Sequence, residues 1–543
     1  MPTTGTPMDP GDLYLVLLGG CAVLLAAVAA VRLSTRAGLP TLLIYLALGV
    51  VLGEAGLGLQ FEDADLVQLL GNLALAIILV EGGFTTDWKV VRPTAPLAAV
   101  LATLGVAISV GVTTALVLLA LDVDLRTAIL LGAVASSTDA AAVFAVLRKM
   151  PIRGGLRATV EAESGFNDPP VIILVTVVTS SAWHDASGPL IVAQVGYQLV
   201  GGLLVGLAVA TGGRWLLAHS ALPASGLYPI ATLAIAFAAF AGAGLVGASA
   251  LMAIYVAGLA LGNMDLPHRA TTGSFVEGLA WMAQIGLFVM LGLLASPNRL
   301  WDALPYALVV GCALTLVARP LSVLICATPF HVPWRDQAFI SWAGLRGAVP
   351  IVLATIPMSV GLPGATRIFD VVFLLVVLFT LLQGPTLPWV ARRLGATAEE
   401  SPRELAIESA PLEALSATLL QFTVPARSRL AGVEVSELRL PRGSTVALLL
   451  RDGEIWAPTP GTVLRRGDHV LVAAAREHRR EIERRLHEIS DHGRLARWYA
   501  ALTPHRASSR SRARRLLSFR WAVAVVSREV RFGPKPQIRG PET

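Results

Sequence analysis

Thirteen long apolar runs fill the first 390 residues of this 543-residue chain, and nothing constrains its fold more. They lie at 13–31, 39–53, 66–81, 95–121, 126–147, 158–182, 190–217, 227–245, 247–263, 277–295, 303–327, 338–358 and 369–391. A bilayer crossing takes roughly 20 such residues. The chain is 55% hydrophobic and 15% charged, far from the roughly 25% charge of a soluble domain. A water-soluble globule, a disordered chain and a disulfide scaffold are all excluded.

The net charge of +6 divides unevenly. Residues up to Val390 carry 16 Lys+Arg against 20 Asp+Glu, a balance of −4, and the remainder carries +10. With the N-terminus outside, loops assigned to the cytoplasm hold 13 basic residues and outer loops hold only Arg126, Arg299 and Arg367. That asymmetry favours an odd number of spans and a cytoplasmic tail. The residues before the first run include Asp9 and Asp12 and no basic group, unlike a signal peptide, so this run is expected to stay as a membrane helix. Cys21, Cys312 and Cys326 sit in apolar stretches without metal-ligand spacing and read as small buried hydrophobes.

The texture changes after the last span. The expected organisation is a membrane domain over 1–393, a linker over 394–416, a small domain over 417–490 and a basic tail over 491–543. The runs TVALLL, DGEIWAP and DHVLVAAA, separated by Gly-containing turns, predict strands, and a charged helix is expected around 475–489. The arginine-rich segment 505–515 reads as an arm near anionic headgroups rather than a nucleic-acid binder.

An ionisable residue at a span centre costs at least about 2.5–3.5 kcal/mol on insertion scales and marks a functional or paired structural group. Four stand out: Asp139, Glu163, Asp168 and Arg346. Asp139 follows Ser136, Ser137 and Thr138 in a run of small residues, and a bare cap on a half-helix is its structural alternative. In Glu163-Ser164-Gly-Phe-Asn167-Asp168-Pro169-Pro170, helical spacing puts Ser164 with Asp168 on one face and Glu163 with Asn167 on another. The first face thus offers hard oxygen ligands to an alkali cation. Arg346 lies among Gly344, Gly347 and Pro350, a composition that suggests a broken helix lining a polar cavity. Such an arginine keeps its charge and needs a carboxylate. Interrupted spans five and twelve occupy matching halves of the chain, the pointer to an inverted-repeat secondary transporter. No Gly-rich nucleotide loop is present, and nothing suggests an enzyme or a bound cofactor.

These residues carry a resemblance. LIYLALGVVLGEAGLG (44–58), LVEGGF (79–84), ASSTDAAAVFAVL (135–147), ESGFNDP (163–169), GASALMAIYVAGLALGN (247–263) and GLRGAVPIVLA (344–354) resemble the cation/proton antiporter superfamily, in its bacterial sodium- or potassium/proton exchanger branch. Residues 424–472 look like a TrkA-C domain, the regulatory module of potassium transporters and channels. The resemblance implies an all-α polytopic fold of about 13 helices with inverted repeats and two broken crossing helices, plus a small cytoplasmic α+β domain. It implies exchange of potassium, or sodium, for protons, with Asp168 the exchanging carboxylate and Asp139, Thr138 and Ser164 completing the cation site. Glu163 would pair with Arg346, and Asn167 would mark the electroneutral type. A homodimer in the cell membrane, a small ligand on the tail domain and no nucleic-acid partner are further expectations. Ala140 stands where the family often has proline after Thr-Asp, and Ile78-Leu79-Val80 lacks the usual Phe before Glu81. The alternative function is a gated potassium channel, against which stands the lack of a TVGYG-like filter.

Overall fold

The computed structural model describes residues 10–397 and 407–495, apart from 38–39, 55, 57, 59–63, 148–149, 151, 181–182, 184–187, 221, 265, 413–416 and 426–427. The basic tail beyond 495 and most of the expected linker lie outside the described residues. The chain divides into two compact units, Met1–Glu399 and Glu400–Thr543.

In the first unit the chain opens with α1 (Pro10–Ala37), α2 (Thr41–Leu52), α3 (Ala64–Thr85) and α4 (Trp88–Val91). Next come α5 (Ala95–Val100) and α6 (Val106–Ala120), joined by a π-helical turn at Leu101–Gly105. A broken helix follows, α7 (Leu125–Ser136) and α8 (Ala140–Leu147), then α9 (Gly154–Phe166) and α10 (Asp168–Thr179). The middle of the unit is α11 (Gly188–His219), α12 (Leu227–Leu245), α13 (Ala250–Asn263) and α14 (Arg269–Leu294). A second π-helical turn, Ala313–Ala318, joins α15 (Pro297–Cys312) to α16 (Arg319–Ala327). The second broken helix is α17 (Trp334–Ala343) and α18 (Ala348–Ser359), bent by 52°, and α19 (Ala365–Leu394) closes the unit.

All thirteen apolar runs fall on these helices. Among the described residues, seven helices are long and apolar enough to cross a membrane, or eight with the bent pair counted as one span. This falls below the thirteen runs because interruptions cut several of them into short apolar pieces such as Leu125–Ser136. The two halves repeat one set of devices: a helix with a π-helical turn, then a helix broken in mid-course. Each half's π-helical turn packs on the other half's helix, Leu101–Gly105 against α16 and Ala313–Ala318 against α6. Such turns concentrate at functional places in helices. Elsewhere small residues permit close crossing. At the α2–α14 contact a Cβ on Gly49 would overlap the Val289 carbonyl, and one on Gly292 the Leu46 carbonyl.

The second unit is a five-stranded antiparallel sheet of order β1-β2-β5-β3-β4, from β1 (Ile407–Leu412), β2 (Ala417–Thr423), β3 (Thr445–Arg451), β4 (Glu454–Trp456) and β5 (His469–Ala475). The helix α20 (Arg479–His492) adds Ile482, Leu486 and Ile489 to a core with Leu420, Phe422, Val470 and Val472. The strand β1 falls within the stretch expected to be linker. Pro411 weakens its strand pattern, yet an edge strand tolerates proline. A buried Asp468 accepts two hydrogen bonds from Arg451, both 2.7 Å, and holds this guanidinium above its ordinary value.

Candidate functional site: the crossing of two broken helices

The chain leaves helical geometry twice at nearly the same place. Between α7 and α8 the helix is interrupted at Ser137, Thr138 and Asp139, with Ser137 extended, and between α17 and α18 it is interrupted over Gly344–Gly347. The two breaks hydrogen-bond each other. The Asp139 amide donates to the Leu345 carbonyl at 3.0 Å, and the Asp139 carboxylate accepts from the Ala348 amide at 2.7 Å. That carboxylate therefore sits at the N-terminus of α18, where unpaired amides favour negative charge. The expectation of Asp139 as a cation ligand and its alternative as a half-helix cap meet here, since the cap is present. Gly347 is obligatory, because any Cβ there would overlap the Asp139 carboxylate.

Arg346 answers Asp139 from the opposite end. Its Nη1 donates to the Gly344 carbonyl at 2.6 Å, beside the C-terminus of α17, where unpaired carbonyls favour positive charge. It also reaches Gln383 Oε1 at 3.4 Å, and its own carbonyl accepts from Thr380 Oγ1 at 2.6 Å. Its Nε and Nη2 have no hydrogen-bond partner among the described residues. Pro350 lies buried in the first turn of α18.

The α9–α10 helix passes these breaks and turns two carboxylates to different neighbours. Asp168 opens α10 and accepts from Ser137 Oγ at 2.7 Å. The amide-less Pro169 and Pro170 follow it, so the first turn offers its carboxylate few backbone donors. Ser164 Oγ lies 3.1 Å from Thr138 Oγ1, and Asn167 Nδ2 also donates to Thr138 Oγ1. Asn167 Oδ1 is buried with no hydrogen-bond partner among the described residues. The hydroxyls of Ser137, Thr138 and Ser164, the Asn167 carbonyl and the Asp168 carboxylate thus gather as hard oxygens at the first break. Ser164 and Asn167 thus meet Thr138, and Asp168 meets the adjoining Ser137. Asn167 keeps helical backbone geometry, its amide donating to the Glu163 carbonyl at 3.0 Å, and its side chain reaches Thr138.

The expected Glu163–Arg346 pair is corrected. Glu163, fully buried, accepts from Arg319 through both oxygens: Nη1 to Oε1 at 2.8 Å and Nη2 to Oε2 at 2.6 Å. Arg319 opens α16 directly after the second π-helical turn, and Gly344 leaves the room its guanidinium occupies. The signal was present in the sequence, since Arg319 is a lone charge inside the apolar run 303–327. Ser137, outside the expected set, is the residue that reaches Asp168, while Thr138 bonds Ser164 and Asn167.

Comparison with known proteins agrees with this geometry. The family model described as "Sodium/hydrogen exchanger, transmembrane" matches residues 23–393, and that of the TrkA-C domain matches 419–487. The K(+)/H(+) antiporter NhaP2 of Shewanella sp. (strain ANA-3) is 35% identical over 477 residues, covering 86% of this chain and 82% of its own. The K(+)/H(+) antiporter NhaP of Alkalimonas amylolytica is 34% identical over 476 residues, with the same two coverages. Among solved structures, the sodium proton antiporter MjNhaP1 of Methanocaldococcus jannaschii superposes with a TM-score of 0.61 at 20% identity, covering 70% of this chain and 99% of that one. At that identity the likeness speaks for the fold. This chain belongs to the sodium/hydrogen exchanger family of multi-pass membrane transporters and carries a TrkA-C domain.

Proposed function

We propose that the chain is an electroneutral antiporter that exchanges potassium, and less readily sodium, for protons through Asp168. The observation that carries this is a buried carboxylate joined to a serine hydroxyl, with no basic group paired to it among the described residues. A proton or a dehydrated alkali cation would satisfy it equally, and the oxygens of Ser137, Thr138, Ser164 and Asn167 suit a cation that has shed water.

Charge counting supports one-for-one exchange. Around the two breaks lie Asp139, Glu163, Asp168, Arg319 and Arg346, all at most 2% exposed. With Asp168 ionised the cluster carries −1, and one proton or one monovalent cation brings it to zero. Crossing a bilayer interior is cheapest for a neutral cluster, so the empty charged form stays put and only loaded forms cross. Competition for one carboxylate then couples the two ions.

Potassium is favoured because the relatives at 35% and 34% identity are named as K(+)/H(+) antiporters. The channel alternative finds no support in the family. In this reading the N-terminus lies outside, the TrkA-C domain faces the cytoplasm and takes a small ligand that adjusts the rate, and two copies assemble in the cell membrane.

The test is dye-reported proton release from proteoliposomes on addition of potassium or sodium, with the membrane potential clamped at two values. Release in either salt with no dependence on potential is expected. A rate that follows the potential would overturn electroneutrality, and no release in either salt would overturn antiport.

A further inference from the structure

Away from the ion site, the membrane unit holds an apolar cavity of about 650 Å³. One wall is α5 with the π-helical turn after it, where Ala95, Ala99 and Ala102 recur at helical intervals and leave space open. The opposite wall is α11, through Val200, Leu203 and Leu207. The floor is α13 together with Phe166, the residue before Asn167, whose ring stands edge-on to Tyr255 with centroids 5.5 Å apart. Of the long apolar spans, α11 is the least covered, with 11% of its apolar window buried. The cavity therefore lies beside a surface that meets lipid.

One end of the cavity is different. Trp88 lines it, half exposed, and Asn263 fixes the corner by accepting from the Trp88 amide at 2.8 Å and donating to the Thr86 carbonyl at 2.7 Å. Lys89 is the next residue, and Arg92, four residues beyond Trp88, returns to its side of the turn. Both basic residues are exposed, and neither forms an ion pair among the described residues. Tryptophan beside basic side chains at the end of a membrane helix is the composition of the headgroup level.

We propose that this cavity is a lipid site, which takes one acyl chain of an anionic phospholipid between α5 and α11 with its headgroup at Lys89 and Arg92. A flexible hydrocarbon chain can enter a crevice between two helices, whereas a helix of a second copy, some 10 Å across with its side chains, would cover α11 and leave the crevice empty. The charge at the Trp88 end selects the anionic class, each basic residue being worth about a five-fold preference at the surface. Through Phe166 the bound chain would touch the helix that carries Asn167 and Asp168.

Full-length protein would be reconstituted with brominated phosphatidylglycerol or brominated phosphatidylcholine, and the Trp88 signal taken as wild type minus Trp88→Phe. Quenching by the anionic lipid is expected at a several-fold lower mole fraction, and the Lys89→Gln/Arg92→Gln variant should erase that preference. Ala99→Phe, or Leu203→Phe from the other wall, should fill the crevice, and native mass spectrometry should then show loss of the retained phospholipid at unchanged oligomer mass. Equal quenching by both lipids overturns the anionic assignment. Lipid retained by both filled variants overturns the crevice, and a change in oligomer mass with lipid retained assigns α11 to a second copy instead. The wild-type quenching comparison stands even if the filled variants fail to fold.

Discussion

Glu163 and Asp168 lie five residues apart on one interrupted helix, both buried, and meet opposite fates. Glu163 is gripped through both oxygens by Arg319, while Asp168 receives one hydroxyl hydrogen bond from Ser137. A bidentate arginine pair is shorter, stronger and geometrically fixed, so Glu163 has no vacancy for a traveller. Burial alone does not make a carboxylate a transport group. In the function proposed here, what does so is burial with the counter-charge left to be supplied by the cargo.

The sharpest way to break this contrast is Asp168→Asn, which should abolish exchange at every pH while leaving the protein folded by circular dichroism and size exclusion. Retained exchange would mean that another group carries the ion. Next in size is Glu163→Ala, expected to cost about 3–5 kcal/mol because it strands a buried charged Arg319. Thermal unfolding in detergent reads this loss, and the double variant Glu163→Gln/Arg319→Gln should recover part of it. If the single and double variants lose equally, the pair is not a unit.

Gly347→Ala tests the cap between the two breaks. Its new methyl collides with the Asp139 carboxylate, so a loss of about 1–3 kcal/mol should appear together with reduced exchange. Ser137→Ala removes the hydroxyl on Asp168 and should weaken apparent cation affinity by roughly ten-fold, about one net hydrogen bond, with expression unchanged. An unaltered KM would remove Ser137 from the site. The smallest effect is expected outside the membrane, at Asp124. Its carboxylate accepts from the Thr127 amide at the start of α7, and hydrogen bonding to the Thr127 side chain above all, with the local backbone amides adding to it, holds its pKa below the ordinary carboxylate range. A depressed carboxylate stabilises the fold above its unfolded value and loses that contribution as pH falls through its folded one. Asp124→Ala should therefore cost about 1 kcal/mol at neutral pH and progressively less in acid.

Much of this was legible beforehand. Apolar runs long enough for a bilayer located the helices, because backbone groups in lipid must bond within their own segment. Dense Gly and small residues at 132–142 and 344–350 located both breaks, and the Glu163–Asp168 segment marked the helix that crosses them. Ser164 and Asp168, expected on one face by helical spacing, both reach the first break, Ser164 at Thr138 and Asp168 at Ser137. In the second unit, β1 was missed because Pro411 suits an edge strand, and edges show only once the sheet is assembled.

The sequence by itself marked Asp139, Glu163, Asp168 and Arg346 as buried charges, since inserting an ionisable group into an apolar span is costly wherever it lands. It also determined that two helices break. Only the tertiary structure decided the pairing. Arg319 and Arg346 are both single charges in apolar spans, and nothing local to either says which meets Glu163. The π-helical turn before Arg319 and the open space at Gly344 bring that guanidinium to Glu163, while Arg346 turns back to the end of its own half-helix. Ion pairs between helices 156 residues apart in sequence depend on crossing angles and close approach, and those belong to the assembled bundle.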